Sequence, residues 1–250
     1  MQLIQSGKLA IFFGDAATSV DPELFVQVGC VGAHDLPGIK TIRTALGARL
    51  LVLPHQIHTA NMLVLRTEQD LQVALAGTHD DRYDADIIMT NLPRVAIGVL
   101  TADCLPIVLY APDVQAFVVV HAGWRGTHQQ VVMQAIRDLQ KEYDADPAGL
   151  HAWCGPCAHV DAYVVGEDFR AELALGPCAR HTAQVLENRA GTWHYNLLKH
   201  NILQLQEAGI PASQIDSTPS VCTITDTRYC SYRRERERAQ RQITAACLCG

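Results

Sequence analysis

Residues 95–126 read VAIGVLTADCLPIVLYAPDVQAFVVVHAGWRG, and this segment restricts the folds open to the chain more than any other. Three apolar runs, Val95–Leu100, Ile107–Tyr110 and Phe117–Val120, predict strands separated by turn residues. The last run is too hydrophobic to alternate, so we expect it to be buried on both faces. A glycine-rich turn follows it and leads into an amphipathic helix predicted over Thr127–Tyr143.

The flanking sequence predicts further strands and helices of both kinds. The strands are expected at Val52–Leu53, Met62–Leu65, Ile87–Met89 and Leu150–Trp153, and the helices at Glu167–Leu175 and Tyr195–Ala208. We find no repeat and no long linker. The sequence therefore predicts one compact α+β domain over residues 1–250, with mixed β-sheets flanked by helices.

Composition excludes several classes of protein. The chain has 250 residues, of which 48% are hydrophobic and 18% charged, so it can bury a large core and is not disordered. Its formal net charge is −6, and its pI is near 6.0. These values argue against a surface that binds nucleic acid through its phosphates, and we expect no nucleic-acid partner.

The location predicted from the sequence is the cytoplasm. The first twenty residues lack the pattern of a signal peptide. The longest apolar segment, Val95–Tyr110, is interrupted by Asp103 and Pro106 and is shorter than the ~20 residues that cross a bilayer. Nine cysteines without a secretion signal indicate reduced thiols. We expect no membrane partner, and we expect a monomer.

Short polar insertions at the ends of apolar runs supply the candidate metal ligands His58, Cys104 and His121. Two imidazoles and a thiolate can hold zinc and leave a fourth position open. Taken alone, His58 is more typical of a structural histidine at a strand end, and Cys104 of a small buried hydrophobe. Thr101, Asp103 and Pro106 are unusual inside a core strand, however, and this favours a functional role for the segment around Cys104.

The turn at His121–Gly126 is a candidate anion site. Gly123 and Gly126 allow backbone amides to approach a ligand, and Arg125 adds a positive charge at the start of a helix. The alternative is a tight turn with Arg125 facing water. The charged run that contains Arg233 and Arg234 also has two interpretations. Its arginines could bind an anionic substrate, or the run could form a solvated, ion-paired face.

Cys154 and Cys157 have the Cys-x-x-Cys spacing of thioredoxin-type redox pairs. Such pairs begin a helix that lowers the pKa of the thiol, whereas residues 158–165 are rich in β-branched residues and lack a helical pattern. The sequence therefore disfavours a redox pair here.

Several motifs together resemble one family, the laccase-domain (YfiH-type) proteins. These were once called multicopper polyphenol oxidases and are now regarded as purine nucleoside phosphorylases with adenosine deaminase activity. The resemblance covers roughly residues 50–234. It rests on Gln56-x-His58, Ala85-Asp86-x-x-x-Thr90, Thr101-Ala102-Asp103-Cys104-x-Pro106, His121-Ala122-Gly123-Trp124-Arg125-Gly126, Gly155-Pro156-Cys157 and Ser231-Tyr232-Arg233-Arg234.

The resemblance implies one zinc ion per chain at His58, Cys104 and His121, with phosphate and a purine nucleoside bound beside it. It also implies a fold related to certain cysteine-dependent toxin deamidases. Within this pattern Gln56 is a candidate substrate contact.

The remaining candidates have the following roles. Asp103 is a candidate acid or base, or a partner that orients His58 or His121. We expect Arg125 and the amides of Gly123 to Gly126 to hold phosphate, with Arg233 or Arg234 as a second clamp.

Two other activities stay open. The same ligands accept copper, as in a laccase-like polyphenol oxidase, although the chain has no His-x-His pair of the kind that multicopper sites use. Alternatively, Cys104 is the nucleophile of a cysteine hydrolase or deamidase, with His121 or His58 as its base.

Overall fold

The computed structural model describes residues 1–21, 36–76 and 84–250. The strands of this part are β1 (Gln2–Ser6), β2 (Leu9–Phe13), β3 (Leu50–Val52), β4 (Met62–Leu65), β5 (Ile87–Thr90), β6 (Val95–Thr101), β7 (Leu105–Ala111), β8 (Ala116–Ala122), β9 (His151–Cys154), β10 (Val164–Val165), β11 (Leu186–Arg189), β12 (Thr192–Tyr195), β13 (Ile215–Asp216) and β14 (Gln242–Leu248). The helices are α1 (Pro37–Leu46), α2 (Glu68–Ala76), α3 (Trp124–His128), α4 (Val131–Tyr143), α5 (Glu167–Leu175), α6 (Thr182–Val185), α7 (Leu197–Glu207) and α8 (Tyr232–Glu235).

The strands form two large sheets and one small one. The five-stranded sheet has the order β1-β2-β14-β6-β3, the six-stranded sheet β13-β9-β7-β8-β5-β4, and the small sheet β10-β12-β11. The pairs β3 with β6, β4 with β5 and β13 with β9 are parallel, and the other neighbours are antiparallel. The predicted α+β class with mixed sheets is confirmed.

Apolar side chains on both faces of the large sheets explain why the sheets pack against each other and against helices. On β7, Val108 and Tyr110 join the cluster between the two large sheets, whereas Ile107 and Leu109 join the cluster beneath α4 and α7. The outer face of the five-stranded sheet packs on α1 through Ile39. The layers are therefore helix, sheet, sheet and helix.

The prediction left several elements unassigned, among them β1, β2, β10 to β13, α1 and α2, and two further differences concern the elements around the site. The helix predicted over Thr127–Tyr143 is two helices, α3 and α4, because Gln130 adopts a left-handed backbone with φ 61°. Strand β14 was not predicted, yet it lies between β2 and β6 in the five-stranded sheet.

The candidate site lies where the chain passes between the two large sheets. Strand β6 belongs to the five-stranded sheet and β7 to the six-stranded sheet, so the turn at residues 102–104 connects the sheets. Among the described helices, none is long and apolar enough to cross a membrane.

Candidate active site

His58, Cys104 and His121 come together in the folded chain. Cys104 lies in the turn between β6 and β7, His121 lies near the end of β8, and His58 lies in the segment after β3. One ligand atom of each residue lies within 4.8 Å of the other two. His121 is buried, Cys104 is partly buried and His58 is exposed, so the group is reached from one side.

A buried carboxylate positions both imidazoles. Asp86 precedes β5 and is fully buried, and its Oδ1 lies 2.7 Å from Nδ1 of His121. The same carboxylate accepts hydrogen bonds from the backbone amides of Ile57, His58 and Thr59, at 3.3, 3.1 and 2.7 Å. These bonds hold the turn in which His58 adopts a positive φ of 63°.

The hydrogen bond from Asp86 also fixes which nitrogen of His121 is available. The carboxylate accepts a hydrogen bond from Nδ1–H, so in the neutral imidazole Nε2 keeps the lone pair that binds a metal or a thiol proton. The structure thus places the orienting carboxylate in the way that is usual for histidine ligands.

Cys104 and His121 influence each other's charge. Burial opposes ionisation of Cys104, but the charge of His121 and hydrogen bonds from His121 and His58 outweigh it and lower the pKa of the thiol to about 6. Burial likewise disfavours charge on His121, yet the Cys104 thiolate and Asp86 raise the pKa of this imidazole to about 9. Without a metal, the pair is therefore a thiolate and an imidazolium near neutral pH.

Asp103 has a different set of partners from those expected of an orienting residue. Its Oδ1 accepts a hydrogen bond from Thr223 Oγ1 at 2.7 Å, and its Oδ2 accepts one from the Arg233 amide at 2.6 Å. Its φ of 87° is left-handed, which turns the chain sharply before Cys104. Asp86, rather than Asp103, hydrogen-bonds to His121.

A cavity of about 450 Å³ opens over the three candidate ligands. It presents two guanidinium groups, Arg125 and Arg241, and one aromatic ring, Tyr232. The remaining lining residues are Pro54, His55, Gln56, His58, Leu100, Ala102, Cys104 and His121. Arg125 is exposed and stacks on Trp124, with its Cζ 4.4 Å from the ring centroid.

Gln56 and the two glycines shape this cavity. Gln56 lines it, and its side-chain amide makes two hydrogen bonds with the backbone of Leu100, at 2.8 and 2.7 Å. A Cβ on Gly123 would lie 2.9 Å from Cys104 Sγ, and one on Gly126 would lie 3.3 Å from Val131. Both glycines thus permit close packing, and the Gly123 contact involves a candidate ligand directly.

Arg233 and Arg234 lie beside the site and are held by protein groups. Arg233 donates from Nη1 to the Val164 carbonyl at 2.9 Å. The Arg234 guanidinium donates to the carbonyl oxygens of Thr223, Ile224 and Tyr229. Neither arginine lines the cavity described above.

Three residues of the site were not assigned roles from the sequence: Asp86, Tyr232 and Arg241. Asp86 belongs to the Ala85-Asp86-x-x-x-Thr90 motif and directly precedes an apolar strand. A carboxylate at such a position could have been predicted to have a buried, functional role. Tyr232 and Arg241 come from α8 and from the residue before β14, about 110 positions from β8, and no local pattern indicates that they meet the ligands.

The Cys154–Cys157 pair has the burial of core residues. Both thiols are fully buried, and burial raises the pKa of Cys154 to about 12 and that of Cys157 well above its usual value. Strand β9 ends at Cys154, and the next α-helix of the described chain begins at Glu167. This context lacks the lowered thiol pKa of a redox pair.

Comparison with known proteins decides the family. Residues 39–249 match the family model described as multi-copper polyphenol oxidoreductase laccase. The chain belongs to this family. A relative named purine nucleoside phosphorylase, from Xylella fastidiosa strain 9a5c, is 37% identical over 235 residues, which are 91% of this chain and 87% of the relative.

Other relatives of the family have related names. A protein named adenosine deaminase RL5, from an unknown prokaryotic organism, is 28% identical over 78% of this chain and 74% of its own length. The crystal structure of Bacillus licheniformis hypothetical protein YfiH has a TM-score of 0.80 at 23% identity and covers 96% of this chain and 92% of that chain. This likeness confirms the fold. The names support an enzyme that acts on purine nucleosides.

Proposed function

We propose that this chain is a zinc-dependent purine nucleoside phosphorylase that also deaminates adenosine. One observation carries the proposal: the His58, Cys104 and His121 group forms part of a cavity that also presents Arg125, Arg241 and Tyr232. A cavity of about 450 Å³ is within the range of small-molecule sites. The names of the relatives in the preceding section support the choice of substrate.

The donor set fits zinc. The thiolate favoured at Cys104 and the Nε2 lone pair of His121 are borderline-soft ligands, and Asp86 supplies the carboxylate that zinc-bound histidines usually contact. When bound, zinc supplies a Lewis acid that lowers the pKa of water toward ~7. Copper accepts the same ligands, so copper-free protein that still turns over nucleosides would separate the two metals.

The chain's own residues bind and orient the substrates. Arg125 and the backbone amides from Gly123 to Gly126 hold phosphate, because α3 begins there and its first amides have no side-chain cap. We assign the second cationic contact to Arg241, since it lines the cavity and Arg233 and Arg234 do not. Its Nη1 donates to the carbonyl groups of Ala239 and Gln240. Tyr232 offers an aromatic face to the purine.

Positioning residues keep this geometry. Asp86 orients His121 and holds the His58 turn. Asp103 ties the turn that carries Cys104 to Thr223 and to the backbone at Arg233. The side chain of Gln56 anchors the segment that carries His58 to the backbone of Leu100 in β6.

Adenosine as substrate separates the two reactions. Phosphorolysis yields adenine and ribose 1-phosphate only when phosphate is present, whereas deamination yields inosine with or without phosphate. Chromatography should therefore show adenine only with phosphate, inosine without phosphate, and hypoxanthine from that inosine when phosphate is present. A protein that yields neither product while it retains zinc would contradict the proposed function.

A second candidate, a cysteine hydrolase, is favoured by the Cys104–His121 pair. Its thiolate and imidazolium, with pKa values of about 6 and about 9, are those of an activated cysteine nucleophile. Such an enzyme keeps its activity after removal of metal and loses it on alkylation of Cys104. The zinc enzyme loses activity on chelation and regains it with zinc.

A further inference from the structure

A second group of metal-ligating side chains lies outside the cavity, in the part of the molecule behind α3. Cys178 and His181 follow α5 in a Cys-x-x-His spacing, and His200 lies on α7. One ligand atom of each residue lies within 4.8 Å of the other two. Their exposed fractions are 0%, 7% and 0%, so the whole group is enclosed by protein.

Each imidazole of this group has one nitrogen with a neighbour and one without. His200 Nδ1 is 2.9 Å from Tyr195 Oη, and His181 Nε2 is 3.5 Å from Glu207 Oε2. The other two nitrogens, His200 Nε2 and His181 Nδ1, are buried and have no hydrogen-bond partner. Buried polar atoms nearly always have a hydrogen-bond partner, and one without a partner destabilises the folded chain.

The hydrogen-bonding neighbours of Cys178, His181 and His200 are of the kind that metal ligands usually have. Histidine ligands use one ring nitrogen for the metal and the other for an oxygen acceptor, and Tyr195 and Glu207 are placed to serve as those acceptors. Gln204 Nε2 lies 3.2 Å from Cys178 Sγ and can donate to it. A donated hydrogen bond stabilises a metal-bound thiolate.

An ion pair adjoins the group: Arg180, whose positive charge contributes to the lowered pKa of His200, is paired with Glu207. Burial lowers the pKa of His200 to about 3, with a further contribution from His181 and His128, and burial lowers the pKa of His181. Burial raises the pKa of Cys178.

A third imidazole adjoins the group. His128, the last residue of α3, packs so closely on Gly176 that a Cβ there would lie 1.8 Å from its Cε1. Its Nδ1 is also buried without a hydrogen-bond partner. Structural zinc sites are closed and four-coordinate, so His128 is the candidate for the fourth ligand.

We propose that Cys178, His181 and His200 form a second metal site, structural rather than catalytic, that binds a divalent transition metal such as zinc. Its ligand atoms are Cys178 Sγ, His181 Nδ1 and His200 Nε2. The metal fastens the turn after α5 to α7, and α7 is tied to α3 because Asn201 and Gln204 donate to Thr127. Since α3 also carries Arg125, this site supports one wall of the catalytic cavity from behind. The proposal is independent of the proposed function.

Cobalt titration of the Cys104→Ala variant tests the site. This variant lacks the thiolate of the first site, so any sulfur-to-cobalt charge-transfer absorption must come from another cysteine. We expect that absorption to saturate at about one Co²⁺ per chain. Its absence from metal-free, folded Cys104→Ala protein would overturn the proposal without any further variant.

Two double variants locate the ligand. Cys104→Ala/Cys178→Ala should lose the absorption, whereas Cys104→Ala/Cys154→Ala, which replaces another fully buried thiol, should keep it. Zinc should raise the Tm of Cys104→Ala and of the Cys154 control but leave that of the Cys178 variant unchanged. If Cys178→Ala does not fold, Cys104→Ala/His200→Gln serves in its place, with weakened cobalt binding expected. Equal absorption in all variants would overturn the assignment.

Discussion

The carboxylate of Asp86 determines the geometry of two of the three candidate ligands. It is fully buried and contacts His121 directly, and it holds His58 through three consecutive backbone amides. Its partners lie 27 to 35 positions away in the sequence. The sequence therefore allowed the ligands to be named, but the residue that orients them depends on tertiary contacts that no local pattern encodes.

Asp86→Asn should weaken zinc binding about 10–100-fold, because the amide can no longer act as the charged acceptor for His121 Nδ1. Competition with a chromophoric chelator measures the affinity. Asp84→Asn is the matched control, since Asp84 is exposed and pairs with His55 rather than with a ligand. Equal zinc affinity in the two variants would show that Asp86 does not position the site.

Gly123→Ala should lower zinc affinity at least tenfold. The added Cβ would lie 2.9 Å from Cys104 Sγ and 3.3 Å from His58 Cδ2, so two ligands must move, while the backbone at φ −73° accepts alanine. Gly149→Ala has nothing within 4 Å of the added Cβ and should bind zinc normally. A Gly123→Ala variant with unchanged affinity would contradict the close packing described here.

The charges of Cys104 and His121 predict how zinc affinity depends on pH. Between pH 6 and 9 the thiol is already ionised, but His121 must lose a proton to bind metal. Zinc affinity should therefore rise about tenfold per pH unit across this window and level off above pH 9. Below pH 6 the rise should be steeper, since both groups must then lose protons. The titrations use the Cys178→Ala variant, in which the second proposed metal site cannot bind zinc. A zinc affinity that does not depend on pH between 6 and 9 would exclude the Cys104–His121 ion pair.

Individual elements were predictable where apolar runs were long and bounded by turn residues. Helix α5 has the predicted bounds, and β4 to β8 lie within two residues of the predicted strands. Helices α3 and α4 could not be separated, because a glutamine at position 130 gives no signal for a positive φ. Strand β14 was not predicted because a charged run precedes it, although all seven of its residues are buried.

Helix α3 carries Arg125, the phosphate contact that we propose, and the left-handed Gln130 separates this helix from α4. Arg125→Ala should raise the KM for phosphate at least tenfold and leave zinc content unchanged, because the side chain lines the cavity but is not a ligand. The control is Arg137→Ala on the exposed face of α4. Steady-state kinetics with varied phosphate measure both variants, and an unaltered phosphate KM would remove Arg125 from the anion site.

At the scale of the whole molecule, the site exists because two sheets meet. The Cys104 turn connects them, the segment after β3 brings His58 from the five-stranded sheet, and β8 brings His121 from the six-stranded sheet. The α+β class followed from the order of apolar runs. The layered arrangement, and the approach of Tyr232 and Arg241 to the cavity, depend on strand pairings between distant segments, which a single sequence does not specify.

Turnover of inosine by the isolated protein tests the central claim most directly. Hypoxanthine and ribose 1-phosphate are followed by chromatography, with and without phosphate, in protein as prepared, after chelation and after zinc is restored. The account predicts hypoxanthine release that requires phosphate, stops on chelation and returns with zinc. Release that survives complete removal of metal, or no release from protein that holds zinc at His58, Cys104 and His121, would contradict it.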